Sequence, residues 1–399
     1  MILKARPCAA VALAVFLAAM STFVPIRALA AVSDLPDGKP VTVPMTLSFG
    51  HIFITVEING KPGVFVLDSG AGADILSTDA AKRLGVATLD TDRPIVTTGV
   101  GGQQQTWLGR LETLKVGGAE LKNSPVFLVD LPHVLKADGL LGYEFLHRFV
   151  TTIDYQAKTV TFRDAPPSPT EGTALPMALT GNVPGIDADL DGKRGRFQID
   201  TGDSGSVDVN TPFVKRHGLR EKYHPRLDVV TGVGVGGEDR SSVVRVPSMK
   251  VGPLTIKSAI VNLSMQTQGA FSTSDVAGTL GYDILSRFKI TLDYKNKKVI
   301  LADAGVNDKP FQYNRSGMGL SILGETLKVG DVIAGSPAEQ AGIAVGDEVI
   351  AVNGALLVDS NFDALRQAIR GAPGDTVQLT LRSPSKDPRE VTLTLRELL

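Results

Sequence analysis

Cysteine is all but missing from this chain, whose 399 residues contain one, Cys8. It falls in an apolar run at the start that reads as an export signal. The mature chain is therefore expected to carry no thiol, which excludes disulfides, cysteine catalysis and thiolate metal sites. Histidine is scarce too. Its five positions (51, 133, 147, 217 and 224) show no His-Glu-x-x-His or other ligand spacing, so each reads as a surface or packing residue. No metal and no cofactor is expected. Charge of either sign is not in excess: the formal net charge is −1, and no positive field argues for nucleic acid or an anionic membrane. Aromatics make up 6%, against 42 Gly and 23 Pro, a balance that favours many short strands joined by turns. Beyond residue 30 nothing approaches the roughly 18 apolar residues of a membrane span.

Residues 1–30 read as an address. Lys4 and Arg6 give a positive start, Cys8 to Val24 is nearly all apolar, and Ala28-Leu29-Ala30 puts small residues where a signal peptidase reads. Cleavage there would leave a soluble, exported protein, and a chain without thiols suits a bacterial periplasm.

The rest repeats itself. Gly139-Leu-Leu-Gly-Tyr-Glu-Phe-Leu-His-Arg-Phe-Val-Thr-Thr-Ile-Asp-Tyr155 returns 139 residues later as Gly278-Thr-Leu-Gly-Tyr-Asp-Ile-Leu-Ser-Arg-Phe-Lys-Ile-Thr-Leu-Asp-Tyr294, with ten of seventeen positions identical. Upstream, Val64-Phe-Val-Leu-Asp-Ser-Gly70 matches Gly195-Arg-Phe-Gln-Ile-Asp-Thr-Gly202, and each precedes a short capped helix that stops at Gly85 or Gly218. Gly-rich tips near 99–106 and 232–240 interrupt alternating runs and predict hairpins. The copies span 41–164 and 173–304, joined by a stiff Ala165-Pro-Pro-Ser-Pro169 connector.

Asp68 and Asp200 each end an apolar strand and lead into hydroxyl-then-glycine. A carboxylate there is aimed by a rigid element. Ser69 and Thr201 can hydrogen-bond across to the opposite copy, while Gly70 and Gly202 let two backbones approach without a Cβ. Two copies can pair about a pseudo-two-fold axis, with both carboxylates meeting on it. At about 3 Å apart they would repel by roughly 5 kcal/mol at an effective dielectric near 20. The pair then holds one proton. Its ionised member can take a proton from water while the other polarises a carbonyl. Paired carboxylates also serve glycoside cleavage, but that needs a wider separation.

Asp68-Ser-Gly-Ala71, Asp200-Thr-Gly202 and the later Leu140-Leu-Gly142 and Thr279-Leu-Gly281 resemble the signatures of retropepsin/pepsin-like aspartic peptidases over about 41–304. The resemblance implies a mostly β fold: two tandem retropepsin-like lobes forming a pseudo-two-fold β-barrel unit. It implies an aspartic endopeptidase whose dyad is Asp68 and Asp200, braced by Ser69 and Thr201. Substrate would lie along Gly70 and Gly202, beneath hairpin flaps bearing Gly101, Gly102, Gly236 and Gly237. Trp107 would either line the cleft or pack the hairpin. One departure stands out. The second copy holds an extra residue near Asp203-Ser204, where the family places a small residue. A carboxylate there either points to solvent or adds a third charge beside the dyad. The alternative is therefore a fold without turnover, serving as a polypeptide-binding adaptor.

Residues 311–399 differ in grammar. Gly317-Met-Gly-Leu320 and the run from Val332 to Asn353-Gly354 resemble a PDZ domain, an α+β peptide-binding module. The resemblance implies that backbone amides around Met318, Gly319 and Leu320 receive a protein C-terminus and that Leu320–Leu323 pairs with it. Phe362, Leu365 and Ile369 would wall that pocket or fill the core. The expected partners are a polypeptide substrate and protein C-termini, not nucleic acid.

Other motifs carry less. Gly232-Val-Gly-Val-Gly-Gly237 satisfies a dinucleotide fingerprint but is followed by an alternating strand, not a helix, so it reads as a hairpin. Asp187, Asp189 and Asp191 lack the closing ligands of a calcium loop and read as a solvated hairpin. Asp154 and Asp293 read as turn residues.

Overall fold

The computed structural model describes residues 32–89, 94–99, 102–131, 135–168, 171–234, 237–323, 326–357, 362–384 and 386–399. Residues 1–30, read as an export signal, His133, and Gly101 and Gly236, read as flap residues, lie outside them.

Alternation builds the first lobe. In the strand His51–Ile58, Ile52, Ile54, Val56 and Ile58 face inward while Thr55 and Glu57 face out. It pairs with Lys61–Leu67 across the turn at Asn59 and Gly60, both at positive φ. Among the described residues this lobe holds a nine-stranded sheet, the second lobe an eight-stranded one, and the C-terminal domain a six-stranded one. A further six-stranded sheet joins the lobes, in the order Thr173–Pro176, Lys298–Asp303, Phe288–Asp293, Val150–Asp154, Thr159–Arg163, Val41–Pro44. Three of its strands come from each copy.

The pseudo-two-fold axis runs through its centre. Thr152 stands opposite Thr291, exactly one repeat away, and their hydroxyls lie 2.9 Å apart. A symmetric contact between equivalent residues is what two-fold pairing requires. One contiguous apolar core runs through both lobes and this sheet, while a second fills the C-terminal domain.

The helices start and stop on their caps. Ser77 Oγ accepts from Ala80 N at the head of Thr78–Leu84, and Gly85 closes it at φ 75°. In the second copy Gly218 does not end the helical segment. Thr211–Arg216 is followed, through Gly218 at φ 56°, by a second short helix, Leu219–Tyr223. Asn210 heads the first of these without a side-chain cap bond; its amide donates instead to Thr273 O.

The C-terminal domain is latched to both lobes. From its helix Asp363–Ile369, Asp363 accepts from Ser48 Oγ (2.7 Å) and Phe49 N (3.2 Å). Arg366 donates to Phe49 O and, at 2.8 Å, to Ser204 O. Arg240 of the second lobe pairs with Asp331 at 3.0 Å.

Candidate active site

The strands Lys61–Leu67 and Lys193–Ile199 carry the two aspartates to the middle of the molecule. Each runs parallel to the signature strand of its own lobe, Gly139–Leu141 or Gly278–Leu280. Asp68 N donates to Leu141 O at 3.0 Å and Asp200 N to Leu280 O at 3.1 Å. Both aspartates are fully buried.

A reciprocal grip ties the loops. Ser69 N donates to Thr201 Oγ1 (3.0 Å) and Thr201 N to Ser69 Oγ (3.1 Å). The hydroxyls then cross over, Ser69 Oγ to Ile199 O and Thr201 Oγ1 to Leu67 O, both at 2.7 Å. Each hydroxyl thus accepts one backbone donor and satisfies one backbone acceptor of the other lobe. Thr201→Val removes both bonds and strands a buried N–H and a buried carbonyl. A loss of roughly 2–4 kcal/mol is expected in urea unfolding, largely restored by Thr201→Ser. A Val variant as stable as wild type would contradict this account of the grip.

The glycines are there for the carboxyls. A Cβ on Gly70 would stand 2.3 Å from Asp200 Cγ, and one on Gly202 would stand 2.4 Å from Asp68 Cγ. Each carboxyl therefore lies over the glycine of the opposite loop. The inner oxygen of Asp68 accepts from Gly70 N and Ala71 N, and that of Asp200 from Gly202 N and Asp203 N. The outer oxygens, both Oδ2, find no donor in the surrounding protein. The two carboxyls interact directly, and two carboxylates hydrogen-bond only when one carries a proton. Burial raises both affinities for protons. The Asp200 carboxyl is raised further by the charges of Asp68 and Asp203, while amide donors partly offset the rise at Asp68.

The extra residue of the second lobe can be placed by register. Leu140 pairs with Ile75, and its counterpart Thr279 pairs with Asp208, so one residue is added between Asp203 and Asp208. Asp203 itself does not reach solvent. It is buried, accepts from Gly205 N at 2.7 Å and lies beside the carboxyl of Asp208, which accepts from Asn262 at 2.9 Å. Of the two readings of this carboxyl, the one that keeps it beside the dyad and away from solvent is found. Burial raises its own proton affinity as well.

Three groups around the dyad escaped the sequence reading. His51, read as a surface or packing residue, is buried beside the backbone of Gly202. Burial and the nearby Arg366 lower its pKa to about 3, so it stays neutral. Tyr155 and Tyr294 end the central strands of the joining sheet and are buried close enough to feel the dyad's charge. Tyr155 senses Asp200 and Tyr294 senses both aspartates. They stack edge-on against Tyr282 and Tyr143, a pairing symmetric about the axis. The constant offset of the repeat is the sequence signal for both tyrosines, which directly follow Asp154 and Asp293. The two aspartates bind turn amides at Gln156, Ala157 and Asn296.

Further out, the hairpins close between Gly99 and Gly102 and between Gly234 and Gly237. The dinucleotide-like Gly run is thus a strand-to-strand tip. Trp107 is half-buried and packs on the main core. Asp187 pairs with Arg194 and Arg196, Asp189 caps Gly192 N, and Asp191 binds Lys222 and Tyr223, as in a solvated hairpin.

In the C-terminal domain, Met318–Leu323 is an edge strand. Met318 N is already taken by Ser316 Oγ at 3.1 Å, so this amide is not free for a carboxylate. Met318, Gly319 and Leu320 line a cavity together with Phe362 and Ile369, whereas Leu365 belongs to the core alone.

Comparison with known proteins agrees with this division. An aspartyl protease family model matches residues 54–145 and 186–284, and a PDZ domain model matches 328–383. DNA damage-inducible protein 1 of Phaeosphaeria nodorum is 32% identical over 114 residues, 28% of this chain and 24% of that protein. Carboxyl-terminal-processing peptidase 3 of Arabidopsis thaliana is 38% identical over 74 residues, covering 18% and 14%. A carboxyl-terminal-processing protease of a Picosynechococcus species is 40% identical over 79 residues, 18% of each chain. The chain spans about a quarter or less of the length of these relatives.

Proposed function

We propose that this chain, whose two lobes belong to the retropepsin-like aspartyl protease family and whose C-terminal domain is a PDZ domain, is an exported endopeptidase. The observation that carries the reading is the dyad. Two buried carboxyls, each against the glycine of the opposite loop, are held together by a cross-lobe grip, with one oxygen of each unsatisfied by the protein. Burial and mutual charge leave the pair with one proton to share. The ionised member takes a proton from a water lying between them. The protonated member donates to the peptide carbonyl, and the water oxygen adds to the carbonyl carbon. Asp68 and Asp200 are the catalytic residues of this scheme; Ser69 and Thr201 position them. The buried amide donors to the inner oxygens fix both carboxyl planes, so little rearrangement is needed.

The PDZ domain would engage the C-termini of substrates or partners, and residues 1–30 would direct the chain to a bacterial periplasm. The names of the relatives, a processing protease among them, suit a proteolytic role. The test is cleavage of casein by the chain freed of residues 1–30, from pH 3 to 8. Cleavage absent at every pH, in a folded protein that still binds peptides, would favour the adaptor. The buried Asp203, which adds charge beside the dyad, is the feature that favours that second reading.

A further inference from the structure

An apolar cavity of about 230 Å³ lies away from the dyad; neither Asp68 nor Asp200 lines it. One wall is the PDZ groove: Met318, Gly319 and Leu320 on the edge strand, with Phe362 and Ile369 on the helix. The facing wall belongs to the second lobe. Leu227, Val229, Val230 and Thr231 come from the strand Leu227–Gly234, with Val243 and Ile260 behind them. That strand pairs with Gly237–Val251, and among the described residues it too is an edge strand of its sheet. At its inner end the cavity reaches His51 and Ser204, on the shoulder of the Asp-Thr-Gly loop.

We propose that the PDZ groove and the base of this hairpin form one composite site. It takes the C-terminal segment of a polypeptide that ends in an apolar residue with a free carboxylate. This rests on the peptide-binding reading of the PDZ domain and extends it to the peptidase lobe. Three observations choose the occupant. Two edge strands flank the slot, and unpaired strand edges are satisfied by an extended backbone. The walls are aliphatic and aromatic, which suits an apolar side chain. A cation, Arg370, lines the cavity at the end of the helix Asp363–Ile369 and makes no salt bridge among the described residues. Asp283, which also lines the cavity and senses Arg370, is kept raised by burial. An incoming carboxylate would give Arg370 a partner. A peptide seated there touches the hairpin directly, so capture by the PDZ domain and the setting of the hairpin become one event.

The probe is a dye-labelled peptide, Gly-Ser-Gly-Ser-Val-Val-Leu, with a free C-terminus, compared with its C-terminal amide, on the chain lacking residues 1–30. The acid is expected to bind at least tenfold more tightly than the amide, and Arg370→Gln to narrow that gap. Val229→Lys, in the peptidase lobe, is expected to weaken the acid at least tenfold, and thermal melting would check that the variant folds. In the wild-type protein, amide exchange across 227–231 is expected to slow on binding, a readout that needs no variant. Acid-selective binding with neither an effect of Val229→Lys nor protection at 227–231 would overturn the composite site and leave the PDZ reading intact. Failure of both peptides to bind would overturn the PDZ reading and the inference with it.

Discussion

Exchange of Asp68 for Asn is expected to slow casein cleavage by roughly 10³-fold, and exchange of Asp200 by a similar factor, with little change in folding. The dyad works as a pair, so either loss removes the shared proton, and the double variant should be scarcely worse than either single one. An amide keeps the acceptor oxygen that binds Gly70 N and Ala71 N, so the loop geometry survives. What it cannot do is ionise. The pH profile adds a second check. Activity requires one proton on the pair, and it is lost on the acid side when both members are protonated. Because burial raises both carboxyls, that acid limb should lie above the ordinary carboxylate range near pH 4. Cleavage is expected to climb towards neutral pH. Removing the Asp203 carboxyl with Asp203→Ala should move the limb down, since its charge helps to raise both members of the dyad. An Asn variant cleaving as well as wild type would end the peptidase reading, and an optimum at pH 3 would refute the electrostatic account.

Much of this was legible in the sequence because it repeats. A constant offset of 139 residues announced two equivalent lobes paired about an axis, and the Thr152–Thr291 contact is that offset made physical. Strand-then-Asp-Ser/Thr-Gly announced the loops, and Gly70 and Gly202 announced their closeness. What could not be read was whatever depends on three-dimensional neighbours. Nothing local marks His51 as a neighbour of Gly202, 151 residues away in sequence. Nor does composition say that Arg366 of the PDZ helix reaches Ser204, beside the inserted residue. Asp203 looked ambiguous because its fate hangs on Asp208, and Asp208 occupies the place that Ile75 holds in the first lobe. The second lobe exchanges an apolar contact for a polar one there, and a pattern of hydrophobicity cannot say where a buried carboxyl will find its partner.

Asp74 shows how far such burial reaches into stability. Its Oδ1 accepts from Gly142 N (2.8 Å) and Phe145 N (3.4 Å), while Oδ2 is buried without a partner. Burial, helped by the charge of Glu144, pushes the carboxyl up to about 8. A carboxyl whose proton affinity is higher in the folded state contributes stability that is complete below the unfolded value and is lost as pH rises through the folded one. Between pH 4 and 7 the unfolded chain ionises at this position and the folded one does not, at a cost of roughly 4 kcal/mol. Asp200, Asp208 and Asp283 act in the same direction, each raised chiefly by burial. His51 acts the opposite way, since a histidine kept neutral loses stability as pH falls below about 6.5. The wild-type curve therefore mixes opposing slopes, and only the difference between variant and wild type isolates Asp74. Asp74→Asn keeps the acceptor for Gly142 and Phe145 and abolishes the titration. Its urea midpoint relative to wild type is expected to rise steadily from pH 4.5 to 7.5, by the equivalent of a few kcal/mol. A constant difference across that range would mean that Asp74 is ionised in the folded protein, with a donor reaching its outer oxygen.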